Sequence, residues 1–177
     1  MYLKLLKFMA IVFLFISVVF PFEVIAKPNT KNIENIHVRK HHWWWGYTPR
    51  NSLYLGMWTY HYMMTRPFKD RNWKNQLIGF NYHSLFIGTI KNSYSERGYI
   101  VALRRDFYQK QVGHFYFNAG YMLGLVSGYK DGQMSSITKY TPVIPIPQIF
   151  WDMSYKRIAI EIAMIPSVAS VGFKILL

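Results

Sequence analysis

The histidines raise the first chemical question. His37 and His41 stand four residues apart, a spacing that on a helix would place both imidazoles on one face and let them share a metal ion. No carboxylate or third ligand follows at a matching spacing, so an interfacial polar cluster is the expected role, and no metal or cofactor is assigned. The chain has no cysteine, which excludes disulfides and thiolate metal centres. The strongest bias is charge: 21 Lys and Arg oppose 8 Asp and Glu, so the surface favours an anionic partner. Nucleic acid and phosphorylated lipid headgroups both suit a field of this sign. An exported chain meets the headgroups first, and no nucleic-acid partner is expected.

Export is read from the N-terminus. Lys4 and Lys7 precede an apolar run from Phe8 to Phe22, which closes on Val24, Ile25 and Ala26. Residues 1–26 are expected to be a signal peptide cleaved after Ala26, because Pro21 and Glu23 fall where a spanning helix would still be apolar. The remainder, about 150 residues, is the size of one domain. Its aromatic content is 19%, with 14 tyrosines, and such residues concentrate where a protein crosses a membrane interface. Beyond the signal no stretch holds the roughly 20 consecutive apolar residues of a spanning helix, so the aromatics are expected on strands. Residues 27–52 are polar and basic. Ile33, Ile36 and the later Trp43, Trp44 and Trp45 predict an amphipathic helix at the interface, with Lys31, Arg39 and Lys40 toward headgroups and Pro49 and Asn51 ending it.

From Leu53 onward the hydrophobic period is two. Phe115, Phe117, Ala119, Tyr121, Leu123 and Leu125 alternate with His114, Tyr116, Asn118, Gly120, Met122 and Gly124. The same split sets Ile158, Ile160, Ile162 and Met164 against Ala159, Glu161 and Ala163, and Val171, Phe173, Ile175 and Leu177 against Gly172 and Lys174. Eight such segments are expected, near 53–65, 74–83, 84–93, 98–108, 112–128, 137–150, 152–165 and 167–177. They predict an all-β fold over residues 53–177, an eight-stranded antiparallel transmembrane β-barrel whose closure leaves no edge unpaired in lipid. A lipocalin-like barrel with the apolar rows turned inward is the competing arrangement, and three basic residues on the non-apolar faces, together with the tryptophan belt, oppose it. Bacterial outer-membrane barrels commonly end in an aromatic residue, whereas this chain ends in Leu177.

Four stretches carry a resemblance that covers nearly the whole mature chain. They are the run from Leu53 to His61, the segment from His83, Ser84 and Leu85 to Lys91, Asn92 and Ser93, the proline-rich Pro142, Pro145 and Pro147, and the run ending Met164, Ile165, Pro166. In this order and spacing the chain resembles the lipid A palmitoyltransferase (PagP) family of outer-membrane acyltransferases. The resemblance implies transfer of a palmitoyl-like chain from a membrane phospholipid to lipid A of lipopolysaccharide, by a monomer in the outer membrane of a Gram-negative-type bacterium. It puts His61 in the place of a general base or proton shuttle, Ser93 in that of a nucleophile or polar stabiliser, and Asn92 where the family carries an acid. The prolines, which donate nothing to a strand ladder, imply lateral gaps that admit a lipid tail. Gly56 stands where the family has a proline, which puts one gap in question. Arg104 falls where a small residue floors the acyl pocket, and there it would shorten or block that pocket. Asn92 could orient a histidine by hydrogen bonding but could not stabilise its cation by charge, so a catalytically silent barrel with a structural or surface-interaction role is the alternative.

Overall fold

A computed structural model describes residues 41–42, 46–62, 72–130 and 140–177. Ten strands follow in order: β1 (His41–His42), β2 (Gly46–Tyr47), β3 (Ser52–His61), β4 (Ile78–Tyr82), β5 (Leu85–Lys91), β6 (Arg97–Val112), β7 (Phe115–Ser127), β8 (Val143–Tyr155), β9 (Ile158–Ile165) and β10 (Val168–Leu176). From β3 to β10 each pairs antiparallel with the next, and β10 returns to β3 with Val168 opposite His61 and Leu176 opposite Ser52. The sheet is therefore a closed eight-stranded barrel.

One end carries tight turns. His83 and Ser84 join β4 to β5, and Lys156 and Arg157 join β8 to β9. His83, Ser84 and Lys156 take φ of 44°, 83° and 53°, the left-handed conformations that short hairpins require. The other end carries the longer connections after β3, β5 and β7. The eight expected strands are all present with shifted limits. The turn expected near residue 151 lies instead at Lys156, so residues 151–155 belong to β8, because Lys156 is where the chain turns left-handed.

The alternation places apolar rows outside. Leu85, Ile87, Val101, Leu123, Leu125, Ile158, Ile160, Val171, Phe173 and Ile175 are exposed, while Lys174, Glu161, Arg104 and Asp152 face inward and are buried. The interior is layered. Nearer the loop end an apolar lining of Leu77, Phe86, Ile90, Ile100, Met122, Val126 and Ile144 packs together, and the charged layer follows below it. The lipocalin-like arrangement does not fit an outer face of this kind.

The predicted signal peptide and the part of the predicted helix up to residue 40 lie outside the described residues. Trp43, Trp44 and Trp45 lie outside them as well, and at residues 41–42 and 46–52 the helical expectation is corrected. His41–His42 and Gly46–Tyr47 form a small antiparallel ribbon, and Tyr47 pairs with Asp106. Gly46 has a φ of 72°, and a side chain there would strike the Asp106 carbonyl, so the turn excludes a helix through this point.

One irregularity orients the functional end. Gly56 has a φ of 92°, and the β10–β3 register shifts between Gly172 and Lys174, so β3 carries a bulge. Tyr54 points inward before it, and Met57, Thr59 and His61 point inward after it. Strict alternation from Tyr54 would have sent His61 to the outer face. A Cβ at Gly56 would meet nothing nearer than Trp58 at 4.0 Å, so space is free and only the backbone conformation forbids a side chain. Gly56→Ala is accordingly expected to destabilise the barrel by about 1–3 kcal/mol, read as a lower urea midpoint in detergent. An unchanged midpoint would mean the bulge is carried by other residues.

Candidate functional site

His61 closes β3 and Ser93 follows β5, two segments that the residues 72–77 separate around the wall. Both side chains are buried, at 8% and 6% exposure, and His61 Nε2 lies 2.7 Å from Ser93 Oγ. With the imidazole proton on Nδ1, Nε2 accepts the Ser93 hydroxyl, the arrangement in which a serine oxygen becomes nucleophilic. Asn92 is also buried here, yet its side chain serves the turn. Its Oδ1 accepts the backbone N–H groups of Tyr94 (2.9 Å) and Glu96 (3.0 Å), and its Nδ2 donates to the Gly128 carbonyl at 2.7 Å. These three bonds hold the turn after β5 and tie it to the end of β7. The expectation that Asn92 orients the histidine is replaced by this one: Asn92 fixes the backbone that presents Ser93.

Below the pair runs a cavity of about 360 Å³, within the range of small-molecule sites. Its walls include Met57, Leu77, Phe86, Ile90, Ile100 and Val126. Its floor is Arg104 with Glu161, Tyr54 and Met122. Arg104 Nη2 and Nη1 donate to Glu161 Oε2 and Oε1 at 2.7 and 3.2 Å, and the guanidinium lies 3.8 Å over the Phe150 ring. Lys174 Nζ donates to Asp152 Oδ2 at 2.7 Å and to Glu161 Oε2 at 3.0 Å, and the Tyr54 hydroxyl donates to Glu161 Oε2 at 2.8 Å. Two cations thus meet two anions in direct bonds, and a third buried carboxyl, Asp106, lies near them. Arg104 does shorten the space available, as its size implies, and Glu161 is the partner that the sequence reading did not single out.

The cavity also opens sideways. Pairing of β8 with β9 starts at Ile149 opposite Met164, so residues 143–148 are held by β7 alone. Pro145, Pro147 and Pro166 are exposed on the outside and line the cavity within, as a gap in the wall requires. The seam between β3 and β4 is shut instead. Gly56 N–H donates to the Leu77 carbonyl at 2.7 Å, Asn75 N–H to Met57 at 2.8 Å and Thr59 N–H to Trp73 at 3.1 Å. Glycine retains the donor that a proline lacks, and the ladder continues through it.

Tyr94 and Tyr129 meet edge to face over the mouth, with ring centroids 6.4 Å apart. Burial, with a smaller push from Tyr94, holds the Tyr129 phenol up at about 12, so it stays uncharged. No metal-ligating group of three His, Cys, Asp or Glu occurs among the described residues. No family model matches the chain, and no curated protein matches it. The chemistry of the site is therefore read from its own geometry.

Proposed function

We propose that the chain is an outer-membrane acyltransferase that moves an acyl chain from a phospholipid to a hydroxyl of lipid A. One observation carries this reading: the 2.7 Å contact of His61 and Ser93, buried at the head of an apolar cavity that opens sideways between β8 and β9. On this reading the exposed apolar rows meet lipid and the closed ladder satisfies the backbone there. Tyr60 and Trp73 at the loop end and Tyr82, Phe115 and Tyr155 at the turn end form the two aromatic girdles. Lys74 and Arg97, exposed at the loop end, suit the phosphates of the acceptor.

A phospholipid tail slides through the opening, and its ester carbonyl stops beside Ser93. His61 takes the hydroxyl proton as Ser93 Oγ bonds to the carbonyl carbon. The ester C–O bond then breaks, and the lysophospholipid leaves with the proton that His61 returns. The acceptor hydroxyl repeats the sequence on the acyl-serine, giving up its proton to His61 and freeing Ser93.

Arg104 makes the chain shorter than palmitoyl. Seven steps separate Tyr54 from His61, and the bulge consumes one. Six rises of ~3.3 Å on strands tilted ~40° give about 15 Å of depth. A hydrocarbon of ~1.5 Å bonds at ~111° advances about 1.25 Å per carbon, so the cavity takes about twelve carbons. Mass spectrometry of lipid A from cells expressing the chain is expected to show one added chain of about that length, and none with His61→Ala. Lipid A unmodified in both would leave a barrel without enzymatic activity.

A further inference from the structure

We propose that Asn75 is the third catalytic residue of this site, the donor that receives the carbonyl oxygen of the ester as Ser93 attacks it; the inference rests on the acyl-transfer reading above. An attack of that kind places negative charge on the carbonyl oxygen, and a fixed donor must meet it. The usual source would be the N–H groups of the turn that follows the nucleophile. Here they are occupied: Tyr94 and Glu96 donate to Asn92 Oδ1, and Ser95 donates to the Asn92 carbonyl at 2.9 Å. With those three N–H groups committed to the turn, a donor besides the Ser93 N–H comes from another segment.

Asn75 has the position and the free hydrogen. It is 1% exposed and lines the cavity together with His61 and Ser93. Its backbone is held from both sides, with N–H to the Met57 carbonyl at 2.8 Å and its own carbonyl accepting Lys91 N–H at 2.7 Å. The next residue, Gln76, has a φ of 42°, a strained conformation for a side chain of that kind and one that persists where the surroundings over-determine it. The carboxamide is fixed as well. Oδ1 accepts the Thr59 hydroxyl at 2.7 Å, and Nδ2 donates to the Lys91 carbonyl at 3.0 Å. A flipped amide would set two carbonyl oxygens against each other at Lys91. Thr59 precedes His61 by two residues on the inward face of β3, and the Lys91 carbonyl lies two residues before Ser93 along the chain, so Asn75 sits just below the pair. An amide nitrogen carries two hydrogens, and the contact with Lys91 uses one. The second serves the cavity. A neutral amide also suits an apolar site, since it brings no charge to be desolvated before the oxyanion forms.

The test uses the full chain in detergent micelles with a phospholipid donor, comparing an ordinary ester with its thiono analogue, whose C=S accepts hydrogen bonds poorly. Asn75→Ala and Asn75→Asp are each expected to lower kcat by about 10²–10³-fold with little change in KM. In both variants the preference for the oxygen ester over the thiono ester should collapse toward unity. Thr59→Val, which removes an anchor and leaves the donor, should keep that preference. Variants are compared only when their folded barrels show the wild-type mobility in unheated gels. An Asn75→Ala kcat within about threefold of wild type would overturn the assignment, as would a slow variant that keeps the full oxygen-ester preference. A wild-type chain that transfers nothing to any acceptor fails the acyl-transfer reading itself, a result visible before any variant is made.

Discussion

Ser93→Ala is expected to lower acyl transfer by about 10⁴-fold or more while leaving the barrel folded. The side chain lost is one hydroxyl, and the turn around it is held by Asn92 and by the Asn72 N–H donated to the Ser93 carbonyl at 2.8 Å, none of which involves Oγ. Stability should therefore be nearly unchanged. His61→Ala should cost about as much activity as Ser93→Ala, and the double variant little more, because two residues that act as one unit do not contribute additively. Ser93→Cys keeps a nucleophile, so brief incubation with donor and no acceptor should leave an acyl adduct on the intact protein, detected as added mass. Transfer at the wild-type rate by Ser93→Ala would show that the acceptor attacks the ester directly and that Ser93 only lines the wall.

Glu161→Ala should give the largest loss of stability. Glu161 receives Arg104 in two bonds, Lys174 in one and the Tyr54 hydroxyl in another, all in the buried centre of the barrel. Its removal leaves Lys174 bonded to Asp152 and strips Arg104 of its bidentate partner. Breaking a buried pair by deleting one member costs about 3–5 kcal/mol, because the other charge remains in a low-dielectric site. The check is the urea midpoint of the detergent-folded barrel, with the double variant Arg104→Met and Glu161→Leu as comparison. The double variant should recover most of the loss, since Lys174 keeps Asp152 and the unpaired guanidinium is gone. A single variant as stable as wild type would mean that water enters the layer and solvates Arg104.

The barrel was legible because its signal is a period. Ile158, Ile160 and Ile162 on one parity, and Ala159, Glu161 and Ala163 on the other, allow only one inside and one outside, and the exposed isoleucines agree. Turn positions were less legible. Lys156 does not announce a left-handed turn, so the limit between β8 and β9 fell several residues early. The site was legible in part. His61 and Ser93 lie together, but their meeting depends on the Gly56 bulge, and a bulge adds one residue without any mark in the hydrophobic pattern. Asn92 was singled out for its place beside Ser93, whereas its work is done through backbone partners that no spacing reveals. Asn75 lies in an irregular stretch where neither period applies, and only the folded wall brings it under the pair.

The ion-paired layer of Arg104, Glu161, Lys174 and Asp152 does more than end the cavity. Arg104 on β6 reaches Glu161 on β9 across the lumen, and Lys174 ties Glu161 to Asp152 along the wall, so bonded side chains fill the barrel's waist. Conductance through the reconstituted barrel is accordingly expected to fall far below that of an open channel of the same strand number, a result that planar-bilayer recording reads directly.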